Sequence, residues 1–309
     1  MRKTCLDTVY KIAKKNKKIV FLGSDLGPGV LDNFKKEMPK RFFMEGVSEQ
    51  SIIGLSAGLA MEGFIPYVNT IATFITRRCF EQVVVDLCLH NLPVKLIGNG
   101  GGLVYAPLGP THQAIEDISI MRSIPNMSII SPCDAIEMEA LVKQSQSYNK
   151  PLYIRLAKGG DKIITEKSNK IKIGKGSMKV FPKDHLFITT GVMTQIALEA
   201  SEFLKKEKKI TCGVLHLGTV KPLDKYLLLK WIPKVKKIVT VEENILSGGF
   251  GSSILEFTSE NFPQHLHKIK RIGLREKFID QYGSQELLFK SNKLTKENLI
   301  NKILKQNIS

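Results

Sequence analysis

Short apolar runs alternate along this chain with helix-length amphipathic stretches, and the alternation restarts past the middle. KIVFLG (18–23), RFFME (41–45), IPYVNT (65–70), PVKLIG (93–98), SIIS (128–131) and PLYIRL (151–156) read as strands. Between them the spacing predicts helices from Glu49 to Met61, from Phe74 to His90 and near 134–147, and a turn with Gly27, Pro28 and Gly29 after the first run. Strands that are apolar throughout must be covered on both sides. The expectation is an α/β architecture: mostly parallel sheets covered by helices on both faces.

From Asp161 to Asp184 the chain is polar, lysine-rich and without helical or strand periodicity, as in a linker. Beyond it HLFITT, CGVLHL, KIVTVEE and KIKRIGL form a second set of strand-like runs. A helix from Gln195 to Lys206, one before Trp231 and one opened by Gly248, Gly249 and Gly251 are expected between them. The predicted organisation is a first domain at 1–165, a linker at 166–184 and a second domain at 185–309. A chain of 309 residues that is 43% apolar suffices for two such cores.

No run approaches the roughly 18 apolar residues of a membrane-spanning helix. The start, MRKTCLDTVYKIAKKNKK, places lysines where a signal peptide needs an apolar centre, so a cytoplasmic protein is expected. The net charge is 46 − 29 = +17, divided as 20 − 15 = +5 up to Thr165 and 26 − 14 = +12 beyond it. Of the 46 basic residues 38 are lysine, spread along the chain, whereas the forked donor that reads bases and phosphates belongs to arginine. Anionic small substrates are therefore expected, and no nucleic-acid partner. None of Cys5, Cys79, Cys88, Cys133 and Cys212 forms a CxxC pair or lies at a zinc-ligand spacing from a histidine, so reduced thiols and no metal site are expected.

Ligands of open parallel sheets sit beyond the carboxyl ends of the strands. That rule selects Asp25 and Gly27, the turn at 46–49, residues 72–78, the run at 98–102 with 107–112, and Arg155 to Lys158. Glu49 is either a first-turn glutamate that complements its helix dipole or a carboxylate that shares a proton with a ligand nitrogen. In TFITRRCFEQ, Phe74, Arg77, Arg78 and Phe80 form either an ordinary helix start or an aromatic wall for a flat heterocycle with an arginine alongside. His112, in GPTHQ, is placed at the entry to a helix, as a capping residue or a proton carrier. NGGG (99–102) lacks the GxGxxG spacing, and SGGFGS (247–252) is read as a tightly packed turn rather than as a phosphate nest.

Long segments in order go further than any one motif. RFFMEGVSEQSIIGLSAGLAMEG, TFITRRCFEQ, GPTHQAIEDISIMRSIPNMSIISPCD and KPLYIRLAKG resemble the pyrimidine-binding domain of transketolase and of deoxyxylulose phosphate synthase. ITTGVMTQIALEA, TVKPLD and VTVEENILSGGFGS resemble the C-terminal domain of the same enzymes, and the likeness runs from about Leu6 to Leu288. The resemblance implies thiamine diphosphate as cofactor. Glu49 would then drive the aminopyrimidine to its imino form, Phe74 would cradle that ring with Arg77 and Phe80 nearby, and His112 would face substrate. Arg155 and Lys158 stand where the family's basic residues meet a substrate phosphate. Leu108 replaces the family's aspartate, and Gly100 and Gly101 replace a histidine. A substrate with an apolar edge, and room for a bulkier group over the two glycines, are expected from these departures.

The family's magnesium-holding GDG…N segment does not occur in this sequence. The resemblance is therefore to the C-terminal subunit of a split transketolase. An N-terminal transketolase-like subunit would carry diphosphate and magnesium, in a heterotetramer acting on a sugar or sugar phosphate. A synthase joining a ketoacid-derived fragment to an aldehyde, the β-subunit of a 2-oxoacid dehydrogenase and a non-catalytic paralogue stand as alternatives.

Overall fold

The computed structural model describes residues 1–23, 31–167 and 170–305; Asp25 and the expected turn at Gly27, Pro28 and Gly29 lie outside them. The strands of the first half are β1 (Ile19–Gly23), β2 (Phe42–Met44), β3 (Ile65–Ile71), β4 (Lys95–Asn99), β5 (Ser128–Ile130) and β6 (Leu152–Leu156). Those that follow are β7 (Ser177–Val180), β8 (His185–Thr189), β9 (Cys212–His216), β10 (Thr219–Lys221), β11 (Lys237–Ile245) and β12 (Ile269–Leu274). Two sheets result, in the orders β10-β5-β6-β4-β3-β1-β2 and β12-β11-β8-β9-β7. All pairings are parallel except β10 with β5 and β7 with β9.

Alternation along each strand divides the cores. In β1, Val20 and Leu22 enter one cluster with Ile52, Ile53, Ile75 and Leu87, while Ile19 and Phe21 enter another with Leu6, Val9, Met138 and Leu141. Helices Glu49–Met61 and Asp117–Ser123 thus cover one face, and Arg2–Lys15 and Ala135–Ser145 the other. The second sheet divides in the same way. Its Leu186, Ile188, Leu215 and Ile238 join the cluster of Val20 and Leu22, so one continuous apolar layer runs through both halves.

Several features depart from the sequence reading, among them β10, which comes from the second predicted domain but joins the first sheet. The expected linker contains β7, which pairs antiparallel with β9 through Ser177 opposite His216. An edge strand with one solvated side needs no continuous apolar run, so composition hid it. The helical stretch after β3 is not uniform either: Phe74–Arg78 and Val83–Leu89 carry π-type hydrogen bonding around a short α segment, Phe80–Gln82. The five cysteines are free and buried. No helix among the described residues is long and apolar enough to cross a membrane.

Candidate functional site

Glu49 is the first residue of its helix, directly beyond β2, and is buried. Its Oε2 accepts a bond of 2.6 Å from Arg78 Nη1. The Arg78 guanidinium also lies over the Phe74 ring, 4.6 Å from its centroid. Phe74 in turn meets the His112 imidazole edge-on at 5.3 Å, and His112 Nδ1 pairs with Thr111 Oγ1 at 2.8 Å. Carboxylate, guanidinium, aromatic face and imidazole therefore form one contiguous row. The loops after β2, β3 and β4 contribute to it, at the carboxyl edge of the first sheet. A carboxylate accepts through both of its oxygens, and a ring with a cation on its face presents a surface suited to a flat heterocycle.

The arginine beside Glu49 is thus Arg78. Arg77 is turned instead to Glu116, to the carbonyl of Gln113 (3.0 Å) and to that of Pro110 (3.5 Å), and so fixes the loop that carries His112. Neighbouring residues point about 100° apart in a helix, and π turns alter that phase, so helical spacing could not tell the two arginines apart. His112 does not open a helix. It lies in a turn after Ala106–Leu108, and the next helix begins at Asp117. Phe80 is exposed six residues beyond Phe74, and Leu108 is half exposed rather than part of a closed apolar wall.

Arg155 is not presented to a ligand. It is buried, with Nε donating to Asp117 Oδ2 at 2.7 Å and Nη2 to the Glu243 carbonyl at 2.8 Å, and the Tyr153 hydroxyl donates to the same Asp117 oxygen at 2.8 Å. Burial works against the charge on Arg155, but the carboxylates of Asp117 and Glu243 outweigh it and hold the guanidinium protonated. Burial pushes the Glu243 carboxyl up to about 7, against the opposing pull of Arg155 and of the Leu103 N–H it accepts at 2.7 Å. This cluster joins the two halves of the chain.

Neither glycine, 100 or 101, has room for a side chain of its own. A Cβ on Gly100 would strike the Tyr105 ring, and one on Gly101 would lie 2.6 Å from Arg155 Cγ. Gly102 has φ +69° and faces the Glu243 side chain, so both conformation and space demand glycine there. Lys158 is exposed and lines a cavity of about 100 Å³ with Arg2, Asn99, Gly100 and Tyr105. In SGGFGS the backbone N–H groups of Phe250 and Gly251 donate to the buried Glu242 carboxylate at 2.6 and 2.8 Å, so a side chain of the protein fills the nest.

Cys133, Glu137 and His216 meet in the interior with their ligand-type atoms within 4.8 Å of one another, although sequence spacing put no cysteine near a histidine. His216 comes from the second half. Hydrogen bonds already tie the group together: Glu137 Oε2 lies 2.8 Å from His216 Nε2 and accepts the Cys133 N–H at 2.7 Å, and Thr194 meets His216 Nδ1 at 2.7 Å.

Residues 1–160 match the family model "Transketolase, pyrimidine binding domain", and residues 174–299 match "Transketolase, C-terminal domain". The 1-deoxy-D-xylulose-5-phosphate synthase of Clostridium perfringens (strain SM101 / Type A) is 37% identical over 300 residues, covering 96% of this chain and 48% of that protein. The synthase of Halothermothrix orenii is 38% identical over 276 residues, 88% of this chain and 43% of that protein. The chain spans about half the length of the curated relatives it matches. Among solved structures, one described as a split gene transketolase, inactive beta4 tetramer, superposes with a TM-score of 0.89 at 31% identity, over 98% of this chain and 96% of that one. A transketolase variant from Pichia stipitis shares the fold at 21% identity, with a TM-score of 0.79 over 98% of this chain and 45% of that one. Two matching domains in order, two mostly parallel sheets and a buried glutamate at the carboxyl edge of the first agree with one another: the chain belongs to the transketolase family.

Proposed function

We propose that this chain is one subunit of a thiamine-diphosphate-dependent, transketolase-like enzyme that moves a two-carbon ketol unit between sugar substrates. A separate subunit supplies the diphosphate and magnesium contacts. The observation that carries the reading is the row Glu49, Arg78, Phe74 and His112, in which a buried carboxylate stands beside an aromatic face. Thiamine diphosphate, when bound, supplies a carbon acid that becomes the nucleophile. Glu49 would hold the cofactor's aminopyrimidine through a shared proton, Phe74 would orient that ring, and His112 would hold or move a proton at a substrate oxygen. Arg78, paired with Glu49 and lying over Phe74, would position both side chains. Lys158, exposed at the mouth of its small cavity, is retained as a contact for a substrate phosphate. A covering partner is supported by the apolar surface on the two helices that carry Glu49 and Phe74, where Leu55, Met61, Phe80, Val85 and Leu89 are exposed.

Calorimetry tests the subunit assignment. The chain alone is expected to bind thiamine diphosphate weakly, and co-expression with a diphosphate-domain partner to give tight, magnesium-dependent binding; tight binding by the chain alone refutes the division. In the assembled enzyme Glu49→Gln should slow exchange of the cofactor C2 proton by roughly 10²- to 10⁴-fold. A rate near that of the parent removes Glu49 from the chemistry.

The 37–38% identity to synthases favours a second reading, joining of a fragment of a 2-oxoacid to an aldehyde. Offering a ketose phosphate or a 2-oxoacid as donor, with a common aldehyde acceptor, separates the two by which donor is consumed.

A further inference from the structure

A second polar cleft lies in the C-terminal half, along the open edge of β12, and the row of Glu49 contributes nothing to it. Its volume of about 310 Å³ lies between β12, the turn at 292–293 and the helix Lys296–Leu304. Among the described residues five cationic side chains line it, Arg271, Arg275, Lys293, Lys302 and Lys305, and no acidic one does. Like charges gathered around a concave surface repel one another and raise the local concentration of anions.

The cleft is also built. Nη1 of the half-buried Arg271 donates to the Leu246 carbonyl and to Ser252 Oγ, both at 2.8 Å. Nε and Nη2 make no hydrogen bond among the described residues, which leaves two donors of the fork that pairs with phosphate. The Lys237 ammonium donates to the Ile303 carbonyl at 3.0 Å and to that of Lys302 at 3.5 Å, fixing the backbone from which Lys302 and Lys305 project. The amide nitrogens of Asn292 and Asn298 are committed to the carbonyls of Leu288 (2.9 Å) and Lys293 (2.8 Å). Their side-chain oxygens remain as acceptors at the wall, and an acceptor calls for a ligand donor. Cations with neutral acceptors, in a volume at the lower end of small-molecule sites (roughly 300–1,000 Å³), describe a ligand larger than a single inorganic phosphate.

We propose that this cleft binds a phosphorylated small molecule carrying hydroxyl groups, at a site separate from the row of Glu49. Arg271 and the lysines meet the phosphoryl oxygens, and the asparagine oxygens accept from the hydroxyls. Binding relieves the mutual repulsion of the five cations, so it also raises the melting temperature.

The test is calorimetry on the full chain at about 0.15 M salt, with pyrophosphate and fructose 1,6-bisphosphate as probes and sulfate for comparison. Both phosphates should bind with one-to-one stoichiometry, and the sugar bisphosphate more tightly. Lys302→Glu should weaken binding tenfold or more, while Lys40→Glu, an equal change of net charge on the exposed surface of the first half, should stay within twofold. Should Lys302→Glu fail to fold, Asn301→Asp serves: Asn301 is exposed, and its side chain makes no hydrogen bond among the described residues. Phosphates that bind no better than sulfate overturn the proposal, and so do equal losses in the Lys302 and Lys40 variants. Salt-sensitive binding of random duplex DNA that neither phosphate displaces overturns it in favour of a nucleic-acid surface. Glu49→Gln should leave phosphate binding intact, so failure here is distinguishable from failure of the catalytic reading.

Discussion

Replacing Arg155 by methionine isolates the cost of stranding a charge in the interior. The methionine keeps an unbranched stem against Gly101, where Arg155 Cγ and Nε now pack, so little cavity forms. What disappears is the 2.7 Å bond to Asp117 and the 2.8 Å bond to the Glu243 carbonyl. Asp117, 1% exposed, is left among the described residues with the Tyr153 hydroxyl. Removing one partner of a buried pair costs about 3–5 kcal/mol. At about 2–4 °C per kcal/mol for a chain somewhat shorter than this one, the melting temperature should fall by about 6–20 °C. Adding Asp117→Asn removes the stranded charge and keeps an acceptor for Tyr153, so the double variant should recover at least about 2 kcal/mol. Urea unfolding followed by circular dichroism and by the single tryptophan, Trp231, measures both. A loss below about 1 kcal/mol in the single variant would show that the pair does not hold the interior. A double variant no better than the single one would assign the cost to packing rather than charge.

Two further outcomes follow from the buried titratable groups. Burial raises the carboxyls of Glu243 and Glu242 to about 7 and about 8 from the ordinary 4.5, so between those values the folded chain keeps protons that the unfolded chain has lost. Stability from these groups is complete below about pH 4.5 and is lost as pH rises through about 7–8. Thermal melts from pH 5 to 8.5 should show a falling melting temperature, with a shallower slope in Glu243→Gln; an unchanged slope in the variant refutes Glu243 as a source. Burial also lifts the thiols of Cys5, Cys79 and Cys88 to about 12 and those of Cys133 and Cys212 higher. Titration with a thiol-specific disulfide reagent should therefore find no reactive cysteine in the native chain and five after unfolding, and rapid native labelling would contradict this burial.

Of the first sheet, β1 to β6 were legible because runs such as KIVFLG and PLYIRL are buried on both faces and apolar at nearly every position, whereas β10 carries no such run. The helix from Glu49 to Met61 was legible because a strand end and a first-turn acid mark its start. The strand at 177–180 was not, since its half-buried positions carry no such run. The terminal helices Gln285–Ser291 and Lys296–Leu304 went unread although Ser284 and Thr295 cap them, because single caps without a long apolar period are common in loops. At the site, residue type was legible and direction was not. Arg77 and Arg155 read as ligand-facing cations, yet it is Arg78 that faces Glu49. Which way a long side chain turns depends on residues far along the chain, such as Asp117 for Arg155, that no local pattern announces.

The short strand Thr219–Lys221 lies beyond the linker in sequence, but it closes the edge of the first sheet against β5, with the Lys221 ammonium donating to the carbonyls of Arg122 and Ile124 at 2.9 and 2.6 Å. A cut at 166–184 would therefore not yield two autonomous pieces. The leading piece would carry a bare edge at Ile129 and Ile130, open to pairing with any strand it meets, and the trailing piece would carry an orphaned strand. The unit that can be moved, fused or shuffled intact is the pair of domains together, and the boundary drawn by the polar stretch between them is one of composition rather than of architecture.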